Sequence, residues 1–201
     1  KDDVGLLYRP LRALESWLVR RADAVVTVSD ALADELSKGR KERPSVVMNS
    51  PDIAPLTGAE TRVVREMYGL SGFVVSYLGS LEPGRFVEQM LGAFTPDDGV
   101  TLLVAGKGSL EGMVAEAALR GGVKYVGSVS TGQALRLTAA SDLVTAMMDP
   151  SNPNNIVGTP GKILNAMALA RPYITNRGLR IAEMTERAGS GLVAGYDRDS
   201  F

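Results

Sequence analysis

FVVSYLGSLEPGRFVEQMLGAFTPDDGVTLLVAG, residues 73–106, reads as strand, loop, helix, strand. The runs 73–78 and 100–105 are almost wholly apolar and rich in β-branched residues, so neither face of either strand suits water. Between them the spacing predicts a helix over about 85–94, entered through a Gly- and Pro-containing loop. Two strands buried on both faces and joined through a helix specify a parallel sheet with helices on both sides.

The same alternation continues toward the C-terminus. A helix is expected over about 110–119, a strand over 123–126, and a helix opened by a Ser130-to-Gln133 capping box. Then come a strand over 143–147, a helix within GTPGKILNAMALARPYI (158–174), a strand over 173–175, a short helix near 181–187 and a strand at 192–193. The expected fold is α/β, a doubly wound, Rossmann-like parallel sheet.

Toward the N-terminus, residues 49–60 (NSPDIAPLTGAE) carry the Pro, Gly and small polar residues of a linker, followed by a bridging helix over 61–68. Ahead of it, 6–21 place Leu7, Leu11, Leu14 and Leu18 on one helical stripe, with Arg9, Arg12, Arg20 and Arg21 mostly off it. A helix packed on its own domain is the expected reading, with membrane-surface contact as the other. A strand over 24–28, a helix over 30–38 capped by Ser29 and stopped at Gly39, and a strand over 45–48 complete a strand-helix-strand unit. The expected division is 1–50 as the end of one Rossmann-like domain, 51–72 as linker and bridging helix, and 73–201 as a second domain. The start at Lys1 suggests a piece of a longer protein.

Composition removes several classes of function. With 22 Lys plus Arg against 23 Asp plus Glu, no nucleic-acid partner is expected. The absence of cysteine removes disulfides and thiolate metal sites, and the absence of histidine removes the commonest general base and metal ligand. No apolar run approaches the roughly 18 residues of a membrane span and no signal-peptide pattern opens the chain, so a cytoplasmic location is expected.

In an open α/β sheet a ligand lies beyond the carboxyl ends of the strands, so four loops are informative. GSLEPGR offers Gly79 for close backbone approach and Arg85 for an anionic oxygen. GKGSLEG opens with Gly106, and GSVST offers the small Ser128 and Val129. The fourth, at 158–161, starts a helix: Thr159 is expected to cap it, Pro160 to take the first helical position, and the N–H groups there to face an anion. Lys162 and Asn165, three apart, share a face of that helix.

Familiar nucleotide motifs fail here. The dinucleotide fingerprint needs its third glycine at Glu111 and an acidic residue about 20 positions on, where Val126 and Gly127 stand. A P-loop would need Ser or Thr at Ile163 and Gly at Ile156.

With these loops in order, the chain resembles the second half of a GT-B glycosyltransferase of the retaining family 4. ADAVVTVSDALADEL (22–36) and SVVMNSPD (45–52) look like the end of that family's N-terminal domain. SYLGSLEPGR (76–85), TLLVAGKGSLE (101–111) and VKYVGSVSTGQALRLTAASDLVTAMMDP (123–150) look like its first four C-domain strands and loops. PGKILNAMALARPYI (160–174) looks like its signature helix, and GSGLVAGYD (189–197) like its closing strand.

The resemblance implies a GT-B fold and transfer of a hexose, with retention, from a nucleotide-diphosphate sugar of UDP or GDP type to a glycan or lipid-linked acceptor. It implies no metal, no other cofactor, and a site on the cytoplasmic side, with the inner membrane face and peripheral membrane contact within its range. Arg85 and Lys162 then carry the catalytic charge. Gly79, Ser80, Gly106, Ser128, Val129, Gly158, Thr159, Pro160, Gly161 and Asn165 contact the nucleotide sugar. At Ser80 the family usually has Arg, and at Val157 and Asn165 it usually has Glu. Those departures sustain the alternative of a nucleotide-binding or scaffolding relative without turnover. An epimerase of the same two-domain architecture is a further alternative.

Overall fold

A computed structural model describes residues 3–201, with side chains from residue 9 onward. It divides into two compact units, Lys1–Asn49 and Ser50–Phe201. In the first, helix α1 (Asp3–Arg21) precedes β1 (Val26–Thr27), α2 (Asp30–Leu36) and β2 (Ser45–Val46), and the two short strands pair in parallel. Ser29 caps α2 by accepting the Leu32 N–H at 3.2 Å. The expected burial of the α1 stripe is not found. Leu11, Leu14 and Leu18 are more than half exposed, and Leu7 lies outside the described side chains.

The second unit is built on six parallel strands in the order β5-β4-β3-β6-β7-β8. They are β3 (Phe73–Leu78), β4 (Val100–Ala105), β5 (Val123–Tyr125), β6 (Leu143–Thr145), β7 (Tyr173–Asn176) and β8 (Gly191–Ala194). The chain builds outward from β3 to β5, then returns to lay β6 on the other side of β3. That reversal is a topological switch point. Around the sheet lie α3 (Gly58–Met67), α4 (Val87–Leu91), α5 (Glu111–Arg120), α6 (Thr131–Ala139), α7 (Pro153–Val157), α8 (Gly161–Ala168) and α9 (Arg180–Ala188).

Burial follows the strand period. Val75, Tyr77, Leu102 and Val104 enter one core with Val87, Met90 and Val114, whereas Val74, Leu78, Leu103 and Ala105 enter another with Val64 and Leu137. Helix α3 is tied to the sheet by Arg65, which meets Asp142 at 3.1 Å while the same carboxylate oxygen accepts the Val74 N–H at 2.8 Å.

Helix ends depart most from the sequence expectation. α3 begins at Gly58 because Thr57 and Glu60 form a capping box, with the Thr57 N–H donating to Glu60 at 2.8 Å and the Glu60 N–H to Thr57 at 3.2 Å. α4 starts only at Val87 because Phe86 is left-handed at φ 64° and cannot be helical, and it stops at Leu91, with Gly92 as its cap. A helix not anticipated, α7, is capped by Asn152 and opened by Pro153. It shifts the start of α8 to Gly161: Pro160 is the cap and not the first helical residue, and Thr159 does not cap.

α8 ends at Ala168, and the Arg171 N–H returns to the Ala166 carbonyl at 2.8 Å across Ala170, whose φ is 52°. A left-handed residue at this point is ordinarily glycine, since a Cβ there costs about 1–2 kcal/mol. Ala170→Gly is therefore expected to stabilise the protein by roughly 0.5–1 kcal/mol, net of the freedom glycine gains on unfolding, raising Tm by about 1–4 °C in a thermal melt.

Candidate functional site

The carboxyl ends of β3, β4 and β5 enclose a cleft of about 760 Å³. Its walls are three loops that interlock. The Gly79 N–H donates to the Ala105 carbonyl at 2.8 Å, Leu81 to Lys107 at 3.0 Å, Leu110 to Leu81 at 2.9 Å and Gly106 to Gly127 at 2.9 Å. The approach is so close that a Cβ on Gly106 would stand 1.8 Å from the Gly79 carbonyl oxygen. Only glycine fits. Glu82 fastens the first loop to the second, its carboxylate accepting the Ser109 hydroxyl at 2.5 Å and N–H at 3.1 Å. Those two bonds, the hydroxyl first, hold the Glu82 carboxyl below the usual range.

Five residues singled out from sequence line this cleft: Gly79, Ser80, Gly106, Ser128 and Val129. Sequence reasoning missed Glu82, Lys107 and Glu111, which line it too. Spacing gave no signal for them, because their place depends on which loops touch. Gly158, Thr159, Pro160, Gly161 and Asn165 do not line it. Of the N–H groups expected at 158–161, that of Gly158 is taken by the Asn154 carbonyl at 3.1 Å and Pro160 has none, so only Thr159 and Gly161 can offer one.

The two predicted cations converge beside the cleft. Lys162 reaches from α8 across to β3, placing its ammonium 4.6 Å from the centre of the Tyr77 ring. A Cβ on Gly79 would lie 2.7 Å from Lys162 Nζ, so the glycine makes the room the ammonium occupies. Tyr77, which the sequence did not mark, is fixed by donating its hydroxyl to the Ser80 carbonyl at 2.5 Å, and burial raises its phenol well above the ordinary value. Arg85 donates to Met148 Sδ at 3.0 Å. It stands between two left-handed residues, Gly84 at φ 78° and Phe86 at φ 64°.

Burial, and then the Arg85 charge, push the Lys162 ammonium down to about 8. Among the described residues neither cation forms a carboxylate ion pair; the cation–π contact with Tyr77 is the compensation Lys162 has. A desolvated ammonium with a second cation acting on it and no carboxylate counter-ion makes an electrostatic demand for an anion.

Residues 72–201 match the family model described as glycosyl transferases group 1. The chain belongs to that family. The glycogen synthase of Mycobacterium tuberculosis (strain CDC 1551 / Oshkosh) is 28% identical over 188 residues, covering 86% of this chain and 42% of that protein. Among solved structures, Anabaena HepE in complex with UDP-glucose superposes with a TM-score of 0.70 at 23% identity, covering 93% of this chain and 54% of that one. WaaG, a glycosyltransferase involved in lipopolysaccharide biosynthesis, gives 0.66 at 18% identity over 94% of this chain and 54% of its own. This group 1 chain thus spans about half the length of its relatives. Its six-stranded unit has the fold of the GT-B glycosyltransferases, as the resemblance implied.

A lysine held at about 8 and unfolding to the ordinary 10.5 lowers stability in full below about pH 8. Between those values the unfolded chain binds more protons, so the deficit closes as pH rises to 10.5. Lys162→Met is expected to melt higher than the parent at pH 7, by an amount on the order of 2–3 kcal/mol, with the gap shrinking toward pH 10 in parallel thermal melts.

Proposed function

We propose that this chain is the nucleotide-sugar-binding half of a retaining glycosyltransferase that moves a hexose from a UDP- or GDP-type donor to a glycan or lipid-linked acceptor. The observation that carries the proposal is the pairing of Lys162 with Arg85 beside the β3–β4–β5 cleft, both without carboxylate partners among the described residues. The cleft takes the nucleoside, and the cations take the diphosphate. The glycosidic bond between the anomeric carbon and the β-phosphate oxygen breaks, a bond to the acceptor oxygen forms on the same face, and the acceptor's proton leaves with the departing diphosphate. Charge grows on that β-phosphate oxygen during the step, and two cations held in place by the fold stabilise it more than water does. Work at the inner face of a membrane and peripheral contact with lipid belong to the same proposal. So does action without a metal.

A second reading, a relative that binds nucleotide without turnover, is favoured by specific residues. Ser80 presents a hydroxyl where the resemblance has a cation, and Val157 and Asn165 present neutral side chains where it has carboxylates. Release of free nucleotide from UDP-glucose or GDP-mannose by the full-length protein separates the two.

UDP or GDP is expected to raise the Tm of the full-length protein by linkage, with the increment falling as pH climbs past about 8 and Lys162 loses its proton. Arg85→Ala is expected to lower turnover by about 100-fold or more, the effect of removing one charge-stabilising donor. Unchanged turnover removes Arg85 from the mechanism.

A further inference from the structure

The Arg85 loop is built in an unusual way. Gly84 and Phe86 on either side of the arginine are both left-handed, and glycine does this freely while phenylalanine does not. Phe86 is nevertheless fully buried. Its ring is 5.2 Å from that of Tyr196 at an interplanar angle of 53°, and 5.2 Å from that of Phe201 at 61°. Phe201 also meets Phe94 edge-on at 5.8 Å. The segment after β8 therefore reaches back over the entry to α4 and grips the residue next to the site cation. On its other side the loop is pinned by the Asp149 N–H, which donates to the Gly84 carbonyl at 3.0 Å.

We infer that Tyr196, with Phe201, is a positioning residue for Arg85: its ring holds Phe86 in the left-handed conformation that sets the guanidinium beside Lys162. The surroundings of the Tyr196 phenol agree with this placement. Burial raises it, the Phe86 N–H lowers it, Asp149 and Glu88 raise it, and Arg85 lowers it, so the ring sits among the groups that bound the loop. Without the Tyr196 ring, Phe86 keeps the Phe201 contact and the Met90 N–H on its carbonyl but loses half of its aromatic clamp, and its relaxation to negative φ swings the preceding side chain away from Lys162. The role deepens the donor-site reading above and takes its catalytic meaning from it.

The test uses Lys162 as a reporter of where Arg85 is, in ligand-free full-length protein carrying 13C-labelled lysine, with the Lys162 signal assigned by its loss in K162M. Arg85→Ala is expected to raise the Lys162 titration midpoint by roughly 0.5 to 1 pH unit, by removing a neighbouring like charge. Tyr196→Leu is expected to raise it equally, the double variant no further, and Tyr196→Phe, which keeps the ring and loses the hydroxyl that faces the Phe86 N–H, to raise it less than Tyr196→Leu. Tyr196→Met repeats the comparison if Y196L does not fold. A parent-like midpoint in Y196L, or a double variant that exceeds R85A, overturns the inference. UDP and GDP binding by calorimetry is measured alongside. If neither binds while the titration pattern holds, the donor reading falls and the positioning role stands. If one binds and Y196L titrates like the parent, the positioning role falls alone.

Discussion

β3 is hydrogen-bonded to β4 on one edge and to β6 on the other, and after Phe73 every one of its residues is buried. A strand so enclosed leaves the chain one place to put polar chemistry, the point where it emerges at its carboxyl end. Because β3 is also where strand order reverses, the loop after it lies between the β4 loop on one side and α8 on the other. Gly79 meets both, with the Gly106 backbone against it and the Lys162 ammonium in the space its missing side chain leaves. The cleft and the cation pair therefore share one residue at the end of one strand, and neither can shift without the other.

The fold was legible because burial on both faces writes itself into composition: 73–78 and 100–105 have no polar stripe to turn toward water. The loops carrying Gly79, Ser80, Gly106, Ser128 and Val129 were legible for the same reason, since strand ends locate them. What was not legible depends on tertiary contact. Glu82 reads as a surface carboxylate until Ser109 is seen to bond it, and Tyr77 reads as core until Lys162 is seen above its ring. The start of α4 was misread because left-handed Phe86 violates a local rule, and the Tyr196 and Phe201 rings that pack on it come from far along the chain. At 158–161 the error was local: NPN at 152–154 is itself a cap followed by a first-turn proline, which starts α7 and displaces the next helix.

Both departures from relaxed geometry have the same scale. Holding Phe86 left-handed costs about 1–2 kcal/mol, and burying its ring returns about 1.5–3 kcal/mol. Burial of the ring in the cluster is thus enough to offset the strain. The desolvated Lys162 has no such full offset, since a cation over one aromatic face regains only about 0.5–2 kcal/mol. Strain without local compensation is what a site retains when the compensating group is a ligand that comes and goes.

In the donor-site reading proposed above, this distribution is how the chain manages with Ser80 where the resemblance implies arginine. A cation from residue 80 would leave the same loop as Arg85, and the loop's own conformation would set their separation. Here the second cation comes from α8, on the far side of the switch point, and its separation from Arg85 is set by how β6 and α8 pack against β3. Arg85 is fixed by the Gly84–Phe86 turn and Lys162 by the Tyr77 ring, so the two charges are oriented by independent supports. In that reading an anion bridging them would tie the β3 loop to α8 across the sheet's point of reversal, so that one charge neutralisation engages both supports.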